Sequence, residues 1–131
     1  MKLKAILILV IASVTFVVGC ARVSPVYNVK DAPVTVASSK RYTLDDMKNA
    51  IIRAGVGLGW QMKEVRPGQI LATLNIRTHM AQVTIDYNLQ TYSITYRDSV
   101  DLNYDGTNIH SNYNGWIQNL DNAIKVQLSA I

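Results

Sequence analysis

Length, composition and charge limit this chain to one small domain. It has 131 residues, of which 13 are Lys or Arg and 9 are Asp or Glu. Without residues 1–19, which hold Lys2 and Lys4, 112 residues remain with 11 basic and 9 acidic side chains. This balance argues against nucleic-acid binding. A chain of this length can bury one hydrophobic core, and its one cysteine excludes an intrachain disulfide.

Residues 1–19 have the pattern of a secretory signal peptide. Lys2 and Lys4 form a basic head, and residues 5–18 are apolar apart from Ser13 and Thr15. The alternative is an uncleaved transmembrane anchor, which needs about 20 apolar residues, several more than this run provides. We therefore expect a cleaved leader over residues 1–19.

The leader ends in Val17-Val18-Gly19-Cys20. This motif resembles the lipobox of bacterial lipoproteins, in which aliphatic and small residues precede a cysteine. The resemblance implies that the Cys20 thiol receives a diacylglyceryl group, that the chain is cut before it, and that the new amine is acylated, typically with palmitate. Two or more acyl chains hold a protein stably at a membrane. Ala21 in place of Asp implies the outer membrane, with the protein facing the periplasm. The alternative for Cys20 is a buried or free thiol.

Residues 20–41 are predicted to be the lipidated N-terminus and a flexible tether. They show no sustained apolar period, and they contain Pro25 and Pro33. A short edge strand at Val34-Thr35-Val36 is the alternative, since proline is tolerated at the start of an edge strand. The periplasm-facing domain is therefore predicted over residues 42–131.

The domain is predicted to begin with a helix. Thr43 and Asp46 have the spacing of a capping box. Apolar residues then recur at helical spacing from Met47 to Ala54, and Gly55 is expected to end the helix.

Four segments with apolar residues at alternate positions follow this helix. They lie over residues 58–62, 70–76, 81–87 and 92–96, and short connections between them predict an antiparallel meander with one wet face. Asp98 interrupts the last pattern, which predicts a bulge or a strand end there.

A second helix is predicted to close the chain. Apolar residues keep helical spacing from Tyr113 to Ile131, with Ser111 or Asn112 as the N-cap. The order is α-β-β-β-β-α, and two helical stripes and one sheet face must bury against each other. We therefore predict an α+β two-layer sandwich, in which a four-stranded antiparallel meander packs against two helices.

The segment from Asp101 to Gly106 matches the first half of a calcium loop. Asp101, Asn103 and Asp105 place oxygen ligands at alternate positions. The twelfth position is Asn112, which cannot supply a bidentate carboxylate. The alternative is a strand end followed by an Asp-Gly turn.

Other chemistry-bearing residues have structural alternatives. His79 falls at a predicted hairpin tip and His110 before a helix, where a solvent-exposed ring and a local hydrogen bond are ordinary roles. Asp86, Asp98 and Asp101 are candidates for paired carboxylates across strands. No nucleophile elbow, phosphate loop, dinucleotide fingerprint or HExxH motif is present. An enzyme is therefore disfavoured, and no cofactor is expected.

Tyrosines and amides cluster in Tyr92–Arg97 and Asn112–Trp116. Such groups bind glycans or proteins, and the alternative is that they are amphipathic core residues. Residues 93–99 and 109–117, together with the leader, resemble small uncharacterised lipoproteins of proteobacteria. That resemblance implies a location and no activity.

Two functions remain open at this point. The first is a lipid-anchored, non-catalytic envelope module that binds a protein or peptidoglycan. The second is a periplasmic ion-binding protein or hydrolase that uses Asp101, Asn103, Asp105 or His110.

Overall fold

A computed structural model describes residues 22–37 and 41–131. The predicted signal peptide and the predicted lipid attachment residue Cys20 lie outside the described residues. The described part contains two helices and seven strands. In chain order they are β1 (Val23–Pro25), β2 (Val29–Pro33), α1 (Leu44–Gly57), β3 (Gln61–Arg66), β4 (Gln69–Ile76), β5 (His79–Tyr87), β6 (Thr91–Val100), β7 (Asn108–His110) and α2 (Ser111–Ser129).

The strands form two antiparallel sheets, so the predicted four-stranded meander with two flanking helices is wrong. One sheet has five strands in the order β2-β6-β5-β4-β3, and the other pairs β1 with β7. Both β1 and β2 come from the segment that was predicted as a tether. Val29 of β2 pairs with Ile94 and is buried, so the free edge of β6 and an apolar side chain together stabilise a strand that lacks an alternating pattern.

Helix α1 begins where the sequence predicts. The Thr43 hydroxyl accepts from the backbone N–H of Asp46 at 3.1 Å, and the Asp46 carboxylate accepts from the N–H of Thr43 at 2.8 Å. This reciprocal pair is the predicted capping box. The helix does not end at Gly55 but continues to Gly57. Gly55 is instead a packing position, because a Cβ there would overlap the Met62 side chain.

The predicted N-caps of α2, Ser111 and Asn112, are wrong by one and two residues. Its N-cap is His110, whose Nδ1 accepts from the backbone N–H of Asn112 at 3.1 Å. The buried stripe runs from Tyr113 to Leu128, as the spacing predicts. None of the described helices combines the length and the apolar character needed to cross a membrane.

The core lies between the two helices and one face of the five-stranded sheet. Inward side chains alternate along β4, β5 and β6, and Ile70, Val83, Ile85 and Ile94 are fully buried among them. The residues between them, such as Thr84, remain partly exposed. One face of the sheet is therefore open to solvent, as predicted from the alternation.

The interruption near Asp98 is a β-bulge, and this prediction is confirmed. Gln82 pairs with Asp98 while the adjacent Val83 pairs with Tyr96, so Arg97 is the extra residue on β6. The strand continues past the bulge to Val100. Beyond the bulge the alternation shifts by one residue, so that Ser99 is partly buried while Asp98 and Val100 are exposed.

Candidate functional site

In the calcium-like loop from Asp101 to Gly106, the first carboxylate, that of Asp101, contacts the β4–β5 hairpin. The Asp101 carboxylate accepts a 2.6 Å hydrogen bond from the Thr78 hydroxyl, and Nδ1 of His79 lies 2.7 Å from the Asp101 carbonyl. Asp101 and Asn103 both have positive φ, of 58° and 53°. Asp and Asn tolerate this left-handed conformation better than most residues. These contacts give Asp101 a structural role in joining the loop to the hairpin.

The last carboxylate of the loop closes a turn. Oδ1 of Asp105 accepts from the backbone N–H groups of Asn108 at 2.7 Å and Thr107 at 2.9 Å. These hydrogen bonds hold the pKa of the Asp105 carboxyl below its usual value, because they stabilise the charged form. Across residues 22–37 and 41–131, no three His, Cys, Asp or Glu side chains lie together as a metal site. The turn is the role that the geometry gives to Asp105.

The histidines and the three candidate aspartates are not brought into one site. His110 caps α2, while His79, on the β4–β5 hairpin, contacts Asp101 in the loop after β6. Asp86 accepts from the side-chain amide of Gln69 at 2.9 Å, and it pairs with Ser93 near the other end of β6 from Asp98. The strand register therefore separates Asp86 from Asp98, whereas Asp98 and Asp101 both lie beside the loop that follows β6.

Three tyrosines from different elements pack together beside the loop. The rings of Tyr96 and Tyr104 stack with centroids 4.1 Å apart, and the Tyr113 ring meets Tyr96 edge-on at 5.7 Å. The Tyr96 hydroxyl lies 2.7 Å from the Ser99 hydroxyl. Tyr113 is fully buried, which raises the pKa of its hydroxyl, whereas Tyr104 leaves 41% of its surface exposed. The cluster thus combines buried core packing with one exposed ring, and the binding of a glycan or a protein by this ring stays a prediction.

Two surface grooves meet at Arg97. The first, of about 620 Å³, lies at the end of β6 beside the loop. The second, of about 330 Å³, lies on the open face of the sheet. The first is lined by Tyr96, Arg97, Asp98, Ser99, Asp101, Leu102, Asn103 and Tyr104. The second is lined by Lys63, Glu64, Val65, Gln69, Leu71, Thr84 and Arg97. We call the two grooves together the Arg97 surface.

The Arg97 surface presents a guanidinium group with a stacking ring nearby. The salt bridges found among the described residues do not involve Arg97. A guanidinium has a planar set of donors that matches a carboxylate, and the exposed face of Tyr104 offers a stacking surface. Arg97 and Lys63 are the cations that line the two grooves, and Glu64, Asp98 and Asp101 are the carboxylates, so the surface offers groups of both charges to a ligand.

Sequence reasoning did not identify Arg97 as a functional residue. The signal was present as the break in alternation after Tyr96, because a bulge often re-aims a side chain. The break alone cannot show which residue is extra, since that depends on the register with β5.

No protein-family model, curated protein or solved structure matches this chain. The resemblance to proteobacterial lipoproteins, which was based on the leader and on residues 93–99 and 109–117, therefore stays a prediction. The ligand of the Arg97 surface is therefore inferred from the residues that line it.

Proposed function

We propose that this chain is a lipid-anchored protein of the bacterial envelope, held through Cys20 at the outer membrane and facing the periplasm. Its domain binds a protein or peptidoglycan partner and does not catalyse a reaction. The observation that carries the anchor is the Val17-Val18-Gly19-Cys20 motif at the end of a basic and apolar leader. Acylation at two sites of Cys20 gives the multiple chains that stable anchoring requires.

The Arg97 surface supports the binding role. Arg97 sits in a bulge on the open sheet face, where no described helix covers it. Peptidoglycan stem peptides carry free carboxylates, and so do acidic protein surfaces. Arginine binds carboxylates through paired, charge-assisted hydrogen bonds, which are stronger than those between neutral groups.

The alternative of an ion-binding protein or hydrolase has less support. It depends on oxygen ligands that converge, and the carboxylates of Asp101 and Asp105 are each held by separate hydrogen-bond donors. His110 uses Nδ1 to cap α2. These residues account for the shape of the loop.

Replacement of Arg97 tests the binding role. We expect Arg97→Ala to lower binding to the partner about tenfold, because one lost charge-assisted contact costs about 1.4 kcal/mol or more. Two assays measure the effect: co-sedimentation of the lipidated protein with purified peptidoglycan sacculi, and formaldehyde crosslinking in living cells followed by immunoblotting. The first assay detects a glycan or stem-peptide partner, and the second detects a protein.

Arg66→Ala is the matched control, because Arg66 is also an exposed arginine at the sheet but lies outside both grooves. It should bind as the unmodified protein does. Equal binding by the Arg97 and Arg66 variants would contradict the assignment to this surface. If the unmodified protein neither sediments with sacculi nor forms a crosslink, the binding role itself is wrong.

A further inference from the structure

The folded domain begins almost at the predicted lipid. Cys20 precedes Arg22 by two residues, so at most about 7 Å of chain separates their Cα atoms. The Arg22 carbonyl accepts from the backbone N–H of Ser111 at 2.7 Å, and Val23 pairs with His110. The predicted acyl chains would therefore be attached two residues before the described sheet, with no long tether between them.

A chain of contacts links this starting point to the β4–β5 hairpin. The N–H of His110 donates to the Leu102 carbonyl at 2.8 Å. The residue before Leu102, Asp101, accepts the 2.6 Å hydrogen bond from Thr78 at the hairpin tip. The start of β1, the end of β7, the end of β6 and this tip thus lie side by side. We call this region, marked by Arg22, Val23, Ile76, Arg77 and Val100, the anchored end.

The anchored end exposes aliphatic side chains and cations together. Val23, Ile76 and Val100 leave 48%, 36% and 53% of their surface exposed. Arg22 and Arg77 are exposed beside them. Aliphatic groups enter the boundary between headgroups and acyl chains, and guanidinium groups bind phosphates.

The acidic residues at this end repel phosphate groups and so oppose that attraction. Three carboxylates, those of Asp98, Asp101 and Asp105, lie at the end of β6 and in the loop that follows it. The Asp101 carboxylate is engaged by the Thr78 hydroxyl and lies 3.4 Å from Nδ1 of His79. Since these carboxylates oppose Arg22 and Arg77, we assign the attraction to the exposed aliphatic groups and the short tether rather than to net charge.

We propose that the anchored end rests on the headgroup layer of the phospholipid bilayer, a proposal that depends on the lipid attachment at Cys20. A tether of about 7 Å keeps this end within reach of the headgroups. It leaves no room for an intervening protein, because even one helix is about 10 Å across.

The orientation leaves the sheet-face groove of the Arg97 surface accessible, whereas the groove beside the loop lies next to the anchored end. The nine-residue strand β5 runs away from the anchored end and spans about 30 Å. Leu89 and Arg66 lie in or beside the turns at the distal end, since the Tyr87 N–H there donates to the Gly68 carbonyl. The open sheet face lies between the two ends, so it would point sideways into the periplasm.

Site-specific fluorescence on the lipidated protein tests this orientation. The full protein is placed in vesicles of phosphatidylethanolamine and phosphatidylglycerol, with an environment-sensitive dye on Val100→Cys or, as the matched control, on Leu89→Cys. Both positions are exposed aliphatic residues. Spin-labelled lipids should quench the dye at position 100 at least about threefold more than at position 89, because apolar groups at a membrane surface enter only the outer ~10 Å.

A charge pair provides a second comparison. Arg77→Glu should reduce the quenching at position 100, and Arg66→Glu, at the distal turn, should not. Equal quenching at positions 100 and 89 in protein whose mass shows an acylated Cys20 would overturn the orientation and leave the anchor standing. An unmodified Cys20 in the same mass measurement would overturn both.

Discussion

A variant of the domain that lacks residues 22–36 is expected to lose cooperative folding. If these residues were a flexible tether, as the sequence predicts, their removal would leave stability unchanged. The deletion removes β1 and β2 and leaves the edge of β6 and the outer edge of β7 unpaired. It also removes Val29, which is only 7% exposed. We expect a loss of more than about 3 kcal/mol in the free energy of unfolding, from lost apolar burial and lost strand pairing.

Urea denaturation of the domain from Arg22 onward, followed by circular dichroism, measures this loss. A point-mutant pair keeps the test informative if the deletion variant does not fold at all. Val29→Ala should cost about 1–2 kcal/mol because it leaves buried space empty. Val23→Ala, at an exposed position in β1, should change stability by less than about 0.5 kcal/mol. A deletion variant as stable as the parent would contradict the paired strands.

Alkaline pH is expected to unfold the domain steeply. Burial raises the pKa of Tyr92 and of Tyr113 well above the usual value, and in Tyr92 the nearby Asp121 carboxylate adds to the effect. In the unfolded chain both hydroxyls ionise near pH 10. Below that pH both states hold the protons and stability is complete. Above it only the unfolded state releases them, so each tyrosine lowers stability by about 1.4 kcal/mol per pH unit.

Two phenylalanine variants separate the tyrosines. The Tyr92 hydroxyl donates to Asp121, which also contacts Lys125 at 3.1 Å, so Tyr92→Phe should cost about 1–3 kcal/mol at neutral pH by leaving a buried carboxylate short of a donor. The Tyr113 hydroxyl has no hydrogen-bond partner within the described residues, so Tyr113→Phe should be close to neutral. Each variant should reduce by about one the number of protons that are released when the domain unfolds at alkaline pH. Urea denaturation between pH 8 and pH 12 measures it, and a parent protein whose stability is flat over that range would refute the buried state of these hydroxyls.

The sequence predicts the parts of the fold that depend on local patterns. The capping box at Thr43, the alternation along β4 to β6 and the buried stripe of α2 each lie within one element. The strands β1, β2 and β7 were not predicted, because they are three to five residues long and two of them contain proline. Such strands owe their stability to partners that are distant in the sequence, and a local pattern does not report those partners.

In the candidate site too, the features with a local pattern were predicted and those that depend on strand register were not. The bulge at Arg97 was detectable as a break in alternation, but the two grooves that it joins depend on the register of four strands and on the loop after β6. The calcium-like spacing from Asp101 to Asp105 was real as a pattern. Its carboxylates instead satisfy backbone and hydroxyl donors, which is the usual role of Asp in turns.

Both functional proposals depend on covalent chemistry at one residue, Cys20, at its thiol and at its new α-amine. Intact-mass and peptide mass spectrometry of the protein purified from its native membranes tests that chemistry directly. We expect the chain to start at residue 20 and its N-terminal peptide to carry a thioether-linked diacylglyceryl group and an amide-linked acyl chain. A chain that still starts at Met1, or an N-terminal peptide with an unmodified thiol at position 20, would contradict the account.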